Sequence, residues 1–279
     1  MIRKLSPAKV NLCLRVLRKR EDSYHDIASL MQKISLSDEM IFLPTERGIT
    51  IRCPGSSLPE NEENIVFKAA EALFSHASHR SSGIDITIKK KIPLAAGLGG
   101  GSSNAATTLM ALNEIFEFHY TAEDLMKIGL TLGADVPFFI FGRTAWAFGI
   151  GERLQAEENL PSFSLVLINP RFELSTKMIY QSLNLRLTNQ IFHYSIPRFY
   201  TIHDLAKGLF NDLEQVSIRM HPVLAELKRI LIEHGALGAL MSGSGPTVFG
   251  IFETEEMAVQ AEKALSGMDN WSVFSATSL

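Results

Sequence analysis

The stretch Gly97-Leu98-Gly99-Gly100-Gly101-Ser102-Ser103-Asn104 carries the strongest structural signal in this chain. Its adjacent glycines allow backbone N–H groups to converge, and their bare Cα atoms allow a phosphate to approach. The alternating residues 84–88 before it predict a strand, and the alanine- and leucine-rich residues 105–112 after it predict a helix. This order of strand, glycine loop and helix favours an anion site at the start of the helix over a flexible glycine linker.

The spacing of these glycines excludes the common nucleotide-binding motifs. No lysine follows the last glycine, as a Walker A loop requires, and the GxGxxG spacing of a dinucleotide fingerprint fails. The protein-kinase signatures are also missing. The loop therefore points to another class of phosphate-binding protein.

A second glycine cluster, Ser242-Gly243-Ser244-Gly245-Pro246, lies between a predicted helix and a predicted strand. By itself such a segment is more often a tight turn than a binding site. Together with the first loop it becomes a candidate for a second wall around a phosphate group.

Asp135 and Lys9 are the charged candidates for chemistry. Asp135 precedes a proline that starts a predicted helix, so it is either an N-cap or a functional carboxylate. Lys9 begins the predicted strand 9–16, where it is either an exposed charge on an edge strand or a partner that keeps a carboxylate ionised and stabilises a transferring phosphoryl group.

Aromatic and imidazole groups stand next to each other at Tyr24-His25, after the turn that follows the first strand. Such a pair can stack on a base and hydrogen-bond its edge, although loop residues of these types are often simple surface groups. The other histidines, including His76, His79 and His119, lack metal-ligand spacing. We expect no protein-built transition-metal site.

The amino-acid composition and the net charge indicate which class of ligand the protein binds. The chain has 279 residues, 46% of them hydrophobic and 20% charged, which is ordinary for a globular protein able to bury a large core. Lysine plus arginine is 27 and aspartate plus glutamate is 30, so the net charge is −3. General nucleic-acid and anionic-membrane binders rely on many phosphate contacts. We therefore expect a small-molecule ligand, with no nucleic acid and no membrane partner.

Cysteine usage and the N-terminus predict a cytoplasmic location. Cys13 and Cys53 are the only cysteines and form no CxxC motif, so neither a disulfide scaffold nor a zinc knuckle is expected. Residues 1–7 lack an apolar core of signal-peptide length, and no stretch approaches the about 20 apolar residues of a membrane span.

The element pattern predicts an α+β protein in two halves, with a boundary near residues 157–161 and domains at 1–157 and 158–279. Gly133 suits a left-handed cap after the helix 122–132, and residues 189–203 give no clear assignment. Other predicted strands are 49–52, 164–168, 247–252 and 272–276, and other predicted helices are 64–74, 175–183, 222–234 and 255–265.

Three blocks together, residues 6–12, 93–106 and 241–247, resemble the GHMP kinases, the superfamily that includes galactokinase, homoserine kinase and mevalonate kinase. The resemblance spans nearly the whole chain. It implies a two-domain fold, with an N-terminal domain like ribosomal protein S5 domain 2, a C-terminal ferredoxin-like α/β sandwich, and an active site in the cleft between them.

Lys9-Val10-Asn11, Ser23-Tyr24-His25 and residues 132–137 are similar to one branch of that superfamily. This resemblance implies ATP-dependent phosphorylation of the 2-hydroxyl of a cytidine-diphosphate-linked methylerythritol, in the non-mevalonate route to isoprenoids. Asp135 would accept the hydroxyl proton, and Lys9 would hold that aspartate and the transferred group. Magnesium would arrive with the nucleotide.

The resemblance also assigns the binding residues. Those for ATP are Leu94, Ala95, Ala96, Gly97, Leu98, Gly99, Gly100, Gly101, Ser102, Ser103, Asn104, Asn64, Lys89, Ser244 and Gly245. Those for the cytidyl substrate are Asn11, Tyr24, His25 and Tyr180. Two departures from the branch concern the substrate loops: Ser23 stands where glycine is usual, and residues 170–173 are bulkier than the usual glycine-containing loop.

Two rival functions stay open at this point. One is a GHMP kinase acting on another small alcohol, such as mevalonate or homoserine, which Tyr24-His25 disfavours. The other is an RNA-binding protein, because the expected N-terminal fold also occurs in ribosomal proteins. The acidic balance and the intact glycine loop disfavour RNA binding. A monomer or a weak homodimer is expected.

Overall fold

The computed structural model describes residues 1–76, 82–183, 194–268 and 271–279, and within these ranges the chain forms strands and helices in comparable number. The strands are β1 (Ile2–Lys19), β2 (His25–Thr45), β3 (Gly48–Arg52), β4 (Gly83–Lys89), β5 (Ala145–Gly149), β6 (Arg153–Ala156), β7 (Ser164–Asn169), β8 (Phe210–Asn211), β9 (Gly238–Met241), β10 (Val248–Phe252) and β11 (Ser272–Thr277). The helices are α1 (Ile65–His76), α2 (Gly100–Ile115), α3 (Ala122–Leu132), α4 (Val136–Phe141), α5 (Thr176–Gln181), α6 (Ile202–Lys207), α7 (Glu214–Met220), α8 (Val223–Glu233) and α9 (Glu255–Leu265). This mixture confirms the predicted α+β class.

The chain divides into two compact units, and the first comprises residues 1–8, 37–94 and 99–143. In it, β4 pairs antiparallel with residues 39–45 of β2 and parallel with β3. Helix α2 is the centre of the helical layer, because it packs against α1, α3 and α4. A capping box between Thr121 and Asp124 fixes the start of α3.

The second unit comprises residues 9–36, 95–98 and 144–279. Residues 27–31 of β2 pair antiparallel with β5, which pairs with β6, and β1 pairs parallel with β8. A separate antiparallel sheet has the strand order β11-β7-β10-β9, and α8 and α9 pack on it. Since β1 and β2 supply residues to both units, the units alternate along the chain. The predicted division into two consecutive domains, residues 1–157 and 158–279, stays a prediction.

The contact between α8 and β10 shows how tightly the second unit is packed. Leu224, Leu227 and Leu231 lie on one face of α8 and are fully buried. A Cβ atom on Gly250 of β10 would lie 2.8 Å from the Cβ atom of Ala236 and 3.2 Å from that of Leu231. Glycine at this position therefore allows the helix to approach the sheet.

Most elements predicted from periodicity are confirmed, and α9 and α3 match their predicted bounds. The left-handed cap at Gly133 is wrong: its φ of 175° is extended backbone, because the chain must enter α4 only three residues after α3 ends. Strand β2, with 21 residues, was not predicted from the sequence. Of the unassigned residues 189–203, those up to 193 lie outside the described residues, and α6 begins at Ile202.

No helix in the described part of the chain has the length and hydrophobicity to cross a membrane.

Leu231→Ala is expected to lower the free energy of unfolding by about 2–5 kcal/mol, because it removes fully buried methyl groups and leaves a cavity against β10. Ile232→Ala is the matched control on the next residue of α8, where the side chain is 48% exposed, and should change stability by less than about 1 kcal/mol. Urea denaturation followed by circular dichroism measures both. Equal effects would show that α8 does not pack as described.

Candidate active site

The second glycine cluster forms a tight turn between β9 and β10. The Gly245 amide donates to the Ser242 carbonyl at 2.9 Å, and Gly243 and Gly245 have φ values of +56° and +76°. These left-handed conformations favour glycine at both positions. A Cβ atom on Gly243 would lie 3.0 Å from Asn11 Oδ1 and 3.5 Å from Lys9 Nζ, so the turn lies directly beside these two side chains.

Part of the first glycine loop packs against this turn within the second unit. The Ser242 hydroxyl donates to the Gly97 carbonyl at 3.0 Å, and the Thr247 amide donates to the Ala96 carbonyl at 3.3 Å. A Cβ atom on Gly97 would lie only 2.2 Å from the Ser242 carbonyl oxygen. The two glycine segments, far apart in sequence, are therefore in contact, as their pairing in the sequence analysis suggested.

Lys9 and Asn11 lie on the same face of β1 and are buried. Lys9 Nζ donates to Asn11 Oδ1 at 2.5 Å, and Asn11 Nδ2 donates to the Ser29 hydroxyl at 2.8 Å. The Lys9 amide also donates to the Leu98 carbonyl, at 3.0 Å. The alternative of an exposed charge on an edge strand is wrong, because Lys9 is 4% exposed and β1 lies between β2 and β8.

In the first unit, the remaining glycines start α2. Gly99 adopts φ 68° and offers no side-chain cap, so the first amides of this 16-residue helix lack partners within the helix. A Cβ atom on Gly100 would lie 3.0 Å from Ile92 Cγ2 and 3.3 Å from Lys90 Nζ. Unpaired amides, the positive end of the helix dipole and bare Cα atoms together fit an anionic ligand such as a phosphate group.

A buried polar network supports this helix start. Lys90 is ion-paired with Asp38, whose other oxygen accepts from the amides of Lys91 and Ile92 at 2.8 and 2.9 Å. Asn104 Nδ2 donates to Asp38 at 3.0 Å and to the Ser6 hydroxyl at 2.8 Å. Because Asp38 is fully buried, these bonds fix the loop before α2 relative to its first turn.

Lys90 rather than Lys89 reaches this helix start. Lys89, predicted to border the nucleotide, is 51% exposed and ion-paired with Glu39 at 3.1 Å, so its binding role stays a prediction. Lys90 lies within the segment 89–91 that the resemblance places beside the nucleotide, but its pairing with Asp38 was not predicted. Lys90 follows directly after β4, and continuing the alternation of Ile84, Ile86 and Ile88 by one step places it on their side of the chain; this signal could have found it.

Asp135 and Asn64 occupy helix starts in the first unit. Asp135 stands at the N-cap position of α4, as its place before the proline predicted, and its side chain makes no capping hydrogen bond. A Cβ atom on the neighbouring Gly133 would lie 3.7 Å from Ser102 Oγ, which brings this loop close to the first turn of α2. Asn64 is a cap, because its Oδ1 accepts from the Val66 amide at 2.9 Å.

The predicted substrate residues Tyr24, His25 and Tyr180 line one cavity of about 690 Å³ in the second unit. The rings of His25 and Tyr180 lie 4.9 Å apart between centroids. Burial and the positive charge of Lys19 lower the pKa of His25 below its ordinary value. The imidazole is therefore neutral at pH 7 and offers one donor and one acceptor to a base. This size and aromatic lining fit a small-molecule ligand.

Thr176 connects this cavity to the glycine turn. It lines the cavity at the start of α5, and its hydroxyl lies 2.7 Å from that of Ser244. Asn11, by contrast, lies beside the turn and is not among the cavity-lining residues. Lys9 belongs to the second unit and Asp135 to the first, and their pairing stays a prediction, as does the cleft.

Among residues 1–76, 82–183, 194–268 and 271–279, no group of three or more histidine, cysteine, aspartate or glutamate side chains could hold a metal ion. A divalent cation bound mainly through the phosphates of a nucleotide does not require such a group.

Comparisons with known proteins agree with this geometry. The family models described as GHMP kinases N terminal domain and GHMP kinases C terminal match residues 64–143 and 199–268. A 4-diphosphocytidyl-2-C-methyl-D-erythritol kinase of Syntrophus aciditrophicus (strain SB) is 61% identical over 279 residues, covering 100% of both chains. A crystal structure of 4-(cytidine 5'-diphospho)-2C-methyl-D-erythritol kinase is 35% identical, covers 99% of both chains and superposes with a TM-score of 0.85. A homoserine kinase from Cytophaga hutchinsonii, 19% identical with a TM-score of 0.73 over 100% of this chain and 94% of its own, shares the fold.

Asp38→Ala is expected to lower the free energy of unfolding by about 3–5 kcal/mol, because it leaves the Lys90 ammonium group buried without its carboxylate. Glu39→Ala is the matched control: it breaks the exposed ion pair with Lys89 and should cost less than about 1 kcal/mol. Urea denaturation compares the two variants. A cost for Asp38→Ala no larger than that of the control would contradict the buried network.

Proposed function

This chain belongs to the 4-diphosphocytidyl-2-C-methyl-D-erythritol kinases of the GHMP kinase superfamily, and we propose that it transfers the γ-phosphoryl group of ATP to the 2-hydroxyl of 4-diphosphocytidyl-2-C-methyl-D-erythritol. The products are ADP and the 2-phosphate of the substrate, an intermediate of the non-mevalonate route to isoprenoids. The observation that carries this proposal is 61% identity over the whole chain to a kinase of that name.

The start of α2 and the two glycine segments are proposed to hold the ATP phosphates. The amides of Gly100 and Gly101 and the dipole of α2 supply positive potential without a bulky side chain. Ser244 and Gly245 belong to the turn that packs against Gly97, so they would border the same phosphates. Mg²⁺ carried by ATP would neutralise charge on the transferred group.

Asp135 is proposed as the base. Its carboxylate accepts the proton of the substrate's 2-hydroxyl while the hydroxyl oxygen attacks the γ-phosphorus and ADP departs. Lys9, held by Asn11 beside the glycine turn, would stabilise the negative charge of the transferred phosphoryl group. Phosphoryl transfer depends mainly on positioning and charge stabilisation. Asp135, Lys9 and the glycine segments that hold the phosphates are therefore sufficient for the reaction.

The aromatic cavity is proposed to recognise the cytosine. Tyr24 and Tyr180 offer stacking surfaces, and the neutral His25 can hydrogen-bond the base edge. Asn11 would contact substrate hydroxyl groups from its place next to Lys9. A cytoplasmic location, a monomer or weak homodimer, and the absence of nucleic-acid and membrane partners remain part of this proposal.

The side-by-side measurement of ADP release with three alcohols tests the proposed substrate. The cytidine-diphosphate-linked methylerythritol should give a kcat/KM at least about 10³ times that of mevalonate or homoserine, because only it fills a site built to hydrogen-bond and stack a base. Equal or higher turnover of either small alcohol would favour that rival kinase. Tight, salt-sensitive RNA binding without ATP turnover would favour the RNA-binding alternative.

Asp135→Asn is expected to lower kcat by a factor of about 10² or more while the affinity for ATP changes little, because the amide cannot accept the hydroxyl proton. Asp85→Asn serves as the control, since it makes the same replacement on β4, in an ion pair with Arg52. A coupled ADP assay and ATP titrations measure both quantities. Near-normal turnover of the Asp135 variant would contradict the proposal that Asp135 accepts the hydroxyl proton.

A further inference from the structure

The cavity that holds His25 and Tyr180 is also distinguished by its charges. Among the described residues that line it there are two lysines and no aspartate or glutamate, and the lysines come from different elements. Lys19 is the last residue of β1, and Lys177 is in the first turn of α5. Both residues are exposed, so their long side chains can move toward a ligand.

Lys19 differs from the two arginines beside it, because both arginines form ion pairs with carboxylates. Arg18 is ion-paired with Asp26, and Arg20 is ion-paired with Asp22 and Asp26. Lys19 lines the cavity, whereas these two arginines and their carboxylates are not among its described lining residues. The positive charge of Lys19 contributes to lowering the pKa of His25, so the two groups lie close enough to interact. Among the described residues, no carboxylate forms an ion pair with Lys19 or Lys177.

We propose that Lys19 and Lys177 form a diphosphate subsite, in which two ammonium groups bind the phosphates of a cytidine nucleotide whose base lies against His25 and Tyr180. The inference rests on the proposed function for the identity of the ligand, and it adds the residues that distinguish a nucleoside diphosphate from a nucleoside. Lysine suits this role because its ammonium group is a compact point charge on a flexible stem.

Alternative uses of the two lysines predict different behaviour. If they only keep the surface charged, neither would discriminate between ligands. If they bind the diphosphate, the phosphates should contribute affinity that depends on both lysines and on ionic strength, whereas the base should bind equally well without them.

The test compares CDP, CMP and cytidine as ligands of the full-length protein by isothermal titration calorimetry. Lys19→Gln and Lys177→Gln should each weaken CDP binding about 10-fold, as expected when one charged hydrogen bond is lost, and the double variant should bind CDP hardly better than cytidine. Cytidine affinity should stay within about 2-fold of the wild type, because these variants keep the base site. Lys263→Gln, on an exposed position of α9, is the matched control and should bind CDP like the wild type.

A measurement without mutations accompanies this series. Raising NaCl should weaken CDP binding to the wild type much more than cytidine binding, because salt screens exposed ion pairs. A double variant that keeps CDP affinity within about 2-fold of the wild type would overturn the subsite, while cytidyl kinase activity of the wild type would leave the proposed function standing. A wild-type protein that binds none of the three ligands and phosphorylates no cytidyl substrate would overturn both.

Discussion

The close approach of Gly97 to the Ser242 carbonyl, which leaves no room for a Cβ atom, is the constraint on which the candidate site depends. It brings the first glycine loop against the turn between β9 and β10, where the Ser242 hydroxyl donates to Gly97 and receives a bond from the Asn11 amide. Asn211 holds the same turn from the other side through the carbonyls of Met241 and Gly243. Backbone from three distant parts of the sequence is thereby fixed around Lys9.

Lys90, on one side, and Lys19 and Lys177, on the other, show two different uses of a lysine charge. The Lys90 side chain is only 9% exposed and is ion-paired with Asp38, so its charge stabilises the loop before α2. Lys19 and Lys177 line a cavity whose described lining residues include no carboxylate, and we propose that their charges bind a ligand. A buried charge needs a partner within the protein, because burying it unpaired costs free energy. An exposed charge is hydrated and can bind an anionic ligand instead.

Local patterns predicted much of the fold, and non-local contacts account for the errors. The helix at residues 255–265 and the strand at 84–88 follow from periodicity alone. Strand β2 did not, because its residues 27–32 are all buried and show no alternation of buried and exposed side chains. The family resemblance named Lys9 and Asp135, but the burial of Lys9 and the network around Asp38 depend on residues that meet only in the folded chain.

We propose that both glycine segments contact the phosphates of ATP. Hydrogen–deuterium exchange of the full-length protein, with and without a non-hydrolysable ATP analogue and Mg²⁺, tests it most directly. We expect slower exchange in peptides that cover residues 94–104 and 241–247, with α9 unchanged as the internal reference. Unchanged exchange in both glycine segments at a saturating analogue concentration would contradict the claim.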